Sequence, residues 1–177
     1  ALPTPEREPA RRLLFFPGST LGNFTGDDAV ALLRAMRQTM GRDGLALVGI
    51  DLHKDPTLIE AAYNDAQGVT AAFTLNLLAR LNREIGSDFD LDGFRPRARY
   101  STARLRIETD LVSQHEQDVH LDGRTFHFEA GEPIRVEYSH KYTDDSFEWL
   151  LQQAGLQVVQ RWNADSPAYG LRLLRAI

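Results

Sequence analysis

Hydrophobic residues fall along this chain in three successive patterns. Leu13 to Phe16 is a short apolar run closed by Pro17-Gly18, and it predicts a buried parallel strand. Thr25 then stands where a helix N-cap belongs, with Asp27 and Asp28 in the first turn to oppose the helix dipole. Ala29, Leu32, Leu33, Met36 and Met40 recur at helical spacing, and Gly41 ends the helix. Leu45 to Ile50 is nearly all apolar and reads as a second buried parallel strand. Strand, helix, strand with short connections is a βαβ unit, so the chain begins as an α/β sheet.

At Asp55-Pro56 the pattern changes. This pair supplies a cap and an N1 proline for a short helix. A longer helix follows over about Val69 to Ile85, with Ala72, Phe73, Leu77, Leu78 and Leu81 expected on its apolar side. Asp88 to Arg97 reads as a loop pegged by Phe89, Leu91 and Phe94. Arg104 to Leu111 alternates, placing Leu105, Ile107, Thr109 and Leu111 on one face. Val119 to Leu121 and Phe126 to Phe128 flank Asp122-Gly123, a strong hairpin signal, and Ile134 to Ser139 is a further strand. Residues 55–141 are therefore expected to form an antiparallel α+β insertion.

The α/β pattern then returns. Thr143 caps a helix with Phe147, Leu150, Leu151 and Ala154 inside and Gly155 at its end. Leu156 to Trp162 is a strand, Ser166-Pro167 turns the chain, and Tyr169 to Ala176 is the last strand. So short a turn makes these two strands antiparallel neighbours. An otherwise parallel sheet that ends in such a hairpin is similar to the class I methyltransferase fold.

Composition narrows the function. At 177 residues, 42% hydrophobic and 25% charged, the chain is an ordinary globular sequence with enough material for a core. It has no cysteine, which excludes disulfides, thiolate metal sites and cysteine nucleophiles and fits a cytoplasmic location. A net charge of −5 argues against nucleic acid as partner. No apolar run reaches the length of a bilayer span, and no signal-peptide pattern opens the sequence. Residues 1–12 are rich in proline and charge and read as a linker to something preceding them; a disordered tail is the alternative.

Two segments are the main candidates for chemistry. Pro17-Gly18-Ser19-Thr20-Leu21-Gly22-Asn23 follows a parallel strand, at the sheet edge where open α/β folds bind ligands. Gly18 and Gly22 permit a tight backbone, and Asn23 offers both a donor and an acceptor, which suits an amine beside a carboxylate. The same residues also read as a strand-to-helix turn in which Asn23 satisfies local backbone. The segment is neither a nucleophile elbow nor a P-loop, for it lacks Gly-x-Ser-x-Gly and Gly-Lys-Ser/Thr. In the second segment Glu137 and Ser139 lie two apart on a strand and so share a face opposite Ile134, Val136 and Tyr138. A carboxylate beside a hydroxyl grips an imidazole well, although the pair also fits a solvated strand face. Tyr63 can hydrogen-bond a carboxylate or simply pack. His53, His115, His120, His127 and His140 are scattered; His120 and His127 flank one hairpin and could meet, but neither has a metal-site spacing.

Taken together, Phe16-Pro17-Gly18-Ser19-Thr20-Leu21-Gly22-Asn23-Phe24, the stretch Ala61-Ala62-Tyr63-Asn64-Asp65-Ala66-Gln67-Gly68-Val69-Thr70-Ala71-Ala72-Phe73, and Glu137-Tyr138-Ser139-His140-Lys141-Tyr142 resemble the histidine Nα-methyltransferases of ergothioneine biosynthesis. Arg106-Ile107-Glu108 and Asn82-Arg83-Glu84 fit as well, and the likeness runs from Leu13 to the end. The resemblance implies the C-terminal part of a class I, Rossmann-like methyltransferase domain (13–54 and 142–177) carrying a substrate-binding insertion (55–141). It implies S-adenosylmethionine as co-substrate and histidine as substrate, with Asn23 and Tyr63 on the amino and carboxylate groups, Glu137 and Ser139 on the imidazole, and Gly18 and Thr109 lining the site. These groups are expected to converge on one pocket at the sheet's C-terminal edge. Methylation of another aromatic amino acid and a non-catalytic binding module are the alternative functions.

Two features depart from the family pattern. The glycine-rich donor loop and the acids that hold ribose and adenine are not among these residues, so the chain by itself is expected neither to bind the donor tightly nor to turn over. Thr109 also stands where relatives often carry methionine. In the class I strand order, Leu13 to Phe16 is expected at a sheet edge, where it would promote self-association.

Overall fold

The computed structural model describes residues 11–164 and 168–177. The elements begin with β1 (Leu13–Phe16), a 3-10 turn (Thr20–Asn23), α1 (Gly26–Met40), β2 (Leu45–Asp51), α2 (Pro56–Tyr63) and α3 (Val69–Ile85). Five strands follow: β3 (Phe94–Ser101), β4 (Arg106–Ser113), β5 (Gln117–Leu121), β6 (Arg124–Phe128) and β7 (Pro133–His140). The chain closes with α4 (Asp144–Ala154), β8 (Leu156–Ala164) and β9 (Tyr169–Ala176). It divides into two compact units, the first made of the residues up to His53 together with His140–Ile177, the second of Lys54–Ser139.

In the first unit the sheet order is β1-β2-β9-β8. β1 and β2 are parallel, with Leu13 opposite Leu45 and Phe16 opposite Val48. β9 runs antiparallel to both neighbours, so the last strand is inserted between β2 and β8. The Ser166-Pro167 turn expected between them lies outside the described residues. β1 is a sheet edge among the described residues.

One face of this sheet holds the core. Ala46, Val48, Ile50 and Leu174 are fully buried against Leu33 of α1 and Phe147 and Leu151 of α4. The opposite face carries Leu13 and Phe15, which are 59% and 67% exposed, and half-buried Leu45, Leu47, Leu171 and Leu173. The expectation that the two leading strands are buried is met on one face only. Their side chains are apolar on both faces, but α1 and α4 pack together, and the core they share with the sheet lies on one side of it.

Capping follows the local sequence. The Thr143 hydroxyl accepts from the Ser146 amide at 3.1 Å and the Ser146 hydroxyl from the Thr143 amide at 3.0 Å, a capping box for α4. Thr25 occupies the N-cap of α1, although its side chain makes no cap hydrogen bond.

The second unit has a three-stranded sheet, β3-β4-β7, and the β5-β6 hairpin. Asp122 and Gly123 at the hairpin tip have φ of 50° and 70°, the left-handed pair that a two-residue turn needs. Three expectations are corrected here. The last four residues of the supposed 88–97 loop are strand, because β3 is an edge among the described residues and an edge tolerates Pro96 and a run of arginines. Phe89 and Phe94 do act as pegs, stacking with Phe128, but Leu91 is exposed. Leu105 sits in a left-handed turn (φ 49°), so β4 starts at Arg106, two residues later than expected.

On α3 the buried residues are Thr74 and Leu78, with Leu75 and Leu81 packed beside them; Phe73 is 76% exposed and Leu77 lies at the rim. This helix is apolar on two sides, so hydrophobicity alone does not orient it. The polar residues on the inner side are satisfied there: Thr74 donates to the Thr70 carbonyl at 2.9 Å, and Asn82 bonds Phe89 through both ends of its amide. In urea unfolding, Leu78→Ala should cost about 2–5 kcal/mol and Phe73→Ala less than about 0.5 kcal/mol. The reverse ranking would contradict this orientation.

Candidate functional site

The polar groups singled out from sequence fall into both units. In the first, parallel pairing brings the ends of β1 and β2 to one sheet edge, and the Pro17–Asn23 loop leaves from there. Gly18 (φ 82°) and Ser19 (φ 56°) are both left-handed. Such a conformation is costly for serine and needs support. The Ser19 hydroxyl accepts from the Asp51 amide at 2.8 Å, and the Tyr169 hydroxyl accepts from the Gly18 amide at 2.9 Å. Gly22 then closes the 3-10 turn by donating to the Ser19 carbonyl at 2.9 Å.

Gly22 is glycine for want of space. A Cβ there would lie 2.9 Å from the His140 carbonyl oxygen. At that approach His140 Nδ1 is 2.8 Å from the Gly22 carbonyl. A carbonyl only accepts, so this nitrogen carries a proton. Tyr142 donates a longer bond, 3.4 Å, to the Leu21 carbonyl, and burial pushes its phenol upward, which keeps it neutral. Lys141, 2% exposed, pairs with Asp51 at 2.9 Å. Asn23, the last residue of the turn, is exposed.

In the second unit the structure brings three of the candidates together. Tyr63, the last residue of α2, donates to the Ser139 hydroxyl of β7 at 2.8 Å. Tyr63 and Thr109 line one cavity of about 50 Å³ with Asp65, Thr70, Thr74 and Arg97. That is room for a few water-sized groups. Two polar atoms of that lining, Thr109 Oγ1 and Arg97 Nε, are buried without a hydrogen-bond partner among the described residues. Glu137 is half-buried on β7. Tyr138, which strict alternation groups with Ile134 and Val136, instead stands with the guanidinium groups of Arg106 and Arg135 at 3.7 and 4.7 Å from its ring centre.

The residues flanking Tyr63 hold it in place. Asn64 donates to the Glu60 carbonyl at 3.0 Å and the Ala98 carbonyl at 3.2 Å, closing α2 against β3. Asp65 accepts from the amides of Val69 and Thr70 at 2.8 and 2.9 Å, and those hydrogen bonds keep its carboxyl below the ordinary range. Asp65 is thus committed to the N-terminus of α3. Under β4, Asp110 is 1% exposed and bonds Arg97 at 3.1 Å and Arg135 at 2.5 Å. The Arg106 guanidinium likewise lowers the Glu108 carboxyl.

The histidines do not gather. His120 and His127 bond separate acids, Asp88 and Asp118, each at 2.8 Å, and Asp118 raises His127. No cluster with metal-ligand character occurs among the described residues. Sequence reasoning missed Tyr169, Asp51, His140 and Arg97. One signal for Tyr169 was present: Gly49, a glycine inside an otherwise apolar strand, marks a close approach.

Known proteins resemble this chain over most of its length. The family model described as "Histidine-specific methyltransferase, SAM-dependent" matches residues 2–176. A histidine N-alpha-methyltransferase of Mycobacterium tuberculosis is 38% identical over 165 residues, covering 92% of this chain and 51% of that protein. An L-tryptophan methyltransferase of Psilocybe serbica is 31% identical over 170 residues, covering 92% of this chain and 46% of that protein. Ergothioneine biosynthesis protein 1 of Neurospora crassa is 29% identical over 188 residues, covering 98% of this chain and 20% of that protein. The chain spans about half the length of the first two of these relatives and a fifth of the third.

Proposed function

This chain belongs to the SAM-dependent, histidine-specific methyltransferase family, and from that premise we propose that it carries the substrate grip of an enzyme that methylates the α-amino nitrogen of histidine, towards trimethylhistidine and ergothioneine. The carrying observation is the 2.8 Å bond from Tyr63 to Ser139, which joins two polar residues 76 positions apart beside the cavity that Thr109 lines. In this reading Asn23 and Tyr63 hold the amino and carboxylate groups, Glu137 and Ser139 hold the imidazole, and Gly18 and Thr109 line the site. Residues 13–54 and 142–177 are the methyltransferase α/β part and 55–141 the substrate-binding insertion. A cytoplasmic location goes with this reading, which a cysteine-free chain fits; no helix among the described residues is long and apolar enough to cross a membrane.

The chemistry asks little of the side chains beyond placement. S-adenosylmethionine supplies a methyl group on a sulfonium, already a good leaving group. No residue of this chain is assigned to holding it. The substrate amine must be neutral to attack, and much of it is protonated near neutral pH. The residues here orient the nitrogen, exclude water and let one proton leave; none serves as a nucleophile. A carboxylate facing the ring pairs with an imidazole N–H, a match that an aromatic ring without a donor does not offer.

A second reading keeps the transfer but changes the amino acid. Thr109, with its unpartnered hydroxyl beside a small cavity, and the likeness to the Psilocybe protein support another aromatic amino acid as substrate. Calorimetry separates the two. On the histidine reading, Glu137→Ala loses a charged hydrogen bond of about 1.5–3 kcal/mol, so affinity for L-histidine should fall roughly ten- to hundredfold. Affinity for L-phenylalanine should change little. Equal loss for both would contradict the imidazole role.

The partner reading extends to a second copy of the chain. Among the described residues β1 is an edge with Leu13 and Phe15 exposed, and it has no charge or proline of its own to discourage pairing. Light scattering should show mass rising with concentration, and Phe15→Lys should suppress the rise. A monomer at every concentration would contradict association through this strand.

A further inference from the structure

Tyr169 is 151 positions from Gly18, yet the two are joined directly. Its place follows from strand pairing. In the β2-β9 ladder Tyr169 lies opposite Asp51 and Leu171 opposite Gly49. The Tyr169 ring passes over Gly49, and its hydroxyl reaches the loop beyond β1. A Cβ on residue 49 would stand 2.0 Å from that hydroxyl and 3.0 Å from the ring carbon that bears it. Gly49 is therefore the gap through which Tyr169 reaches the loop.

The loop needs what Tyr169 gives it. Gly18 and Ser19 are consecutive left-handed residues, and one of them is not glycine. Tyr169 fastens the first through its amide, and the Asp51 amide fastens the second through its hydroxyl. Tyr169 and Asp51 are a ladder pair, so one rung of the sheet fixes both residues. Beyond them, Gly22 is set against the His140 backbone, with His140 Nδ1 on its carbonyl. Asn23 is the next residue. Its direction is thus fixed at two points, by the Tyr169–Asp51 rung and by His140.

We propose that Tyr169 is a positioning residue, whose hydroxyl, reaching across Gly49 to the Gly18 amide, sets the conformation of the loop that presents Asn23 to the substrate. The part about substrate rests on Asn23 as a substrate grip; the part about the loop does not. Tyr169→Phe keeps the ring and removes only the hydroxyl. Gly49→Ala keeps the hydroxyl but occupies its place. The two should act alike, and combining them should give less than the product of their effects, because the 2.0 Å conflict disappears with the hydroxyl.

The test uses the 177-residue chain with L-histidine as probe. Backbone amide exchange, which needs no substrate, should speed up at Gly18 and Gly22 in Tyr169→Phe while the β2 amides stay protected. Affinity for L-histidine should fall roughly three- to tenfold, the worth of one neutral hydrogen bond. That loss should vanish when Asn23 is already alanine, a coupling that a general loss of stability would not produce. Unchanged exchange across residues 18–23 would overturn the inference, and so would a Tyr169→Phe loss that adds in full to Asn23→Ala. If the wild-type chain binds no L-histidine, the substrate reading falls, and the exchange data alone decide whether Tyr169 positions the loop.

Discussion

Ala46, Val48 and Ile50 are wholly withdrawn from water, and the first unit is arranged to keep them so. A strand buried this deeply needs partners on both edges for its backbone and a cover for its side chains. β1 and β9 supply the edges, α1 and α4 the cover. Burying each large apolar side chain is worth about 1.5–3 kcal/mol. The surface ion pairs, such as Arg80 with Glu84, are worth about 0–1 kcal/mol each and decide little. Because β1 runs parallel to β2, both strands end at the same edge. The βαβ order therefore places the Pro17–Asn23 loop beside Asp51, where the sheet can hold it.

The second unit is organised by polar groups as much as by its small aromatic core. Asp110, almost fully buried, is tolerated because two guanidinium groups reach it. Removing one of them would leave a buried charge poorly compensated, a change that typically costs several kcal/mol. The same arginine face stacks on Tyr138. On the cavity side the balance is incomplete, since Thr109 Oγ1 and Arg97 Nε lack partners there. Unsatisfied buried groups beside a cavity are where a ligand or ordered water has most to offer. The Tyr63–Ser139 bond lies next to that imbalance, which is why it carries the functional reading.

Much of this was legible in the sequence, for reasons that differ by element. The helices had caps and periodicity: Val69 to Ile85 was read to the residue, and Asp55-Pro56 began α2 as its chemistry requires. The hairpin at Asp122-Gly123 was fixed by two left-handed positions. What failed was orientation on α3, where apolar residues lie on more than one side. β3 escaped notice because Pro96 and its arginines are edge-strand features that resemble a loop. The candidates Gly18, Asn23, Tyr63, Glu137 and Ser139 were singled out by local motifs and Thr109 by the family resemblance, and their roles stand as proposals. Tyr169 and Arg97 depend on long-range pairing that no local pattern encodes, although Gly49 hinted at the first.

The central claim is that the substrate side of a methyltransferase lies in these residues. The most direct measurement is a titration of the isotope-labelled chain with L-histidine, followed residue by residue in the backbone amide spectrum. The account predicts one saturable process that moves Asn23, Tyr63, Glu137 and Ser139 together, with Thr109 responding and the His120–His127 hairpin still. No saturable change, or changes confined to residues away from these, would contradict it.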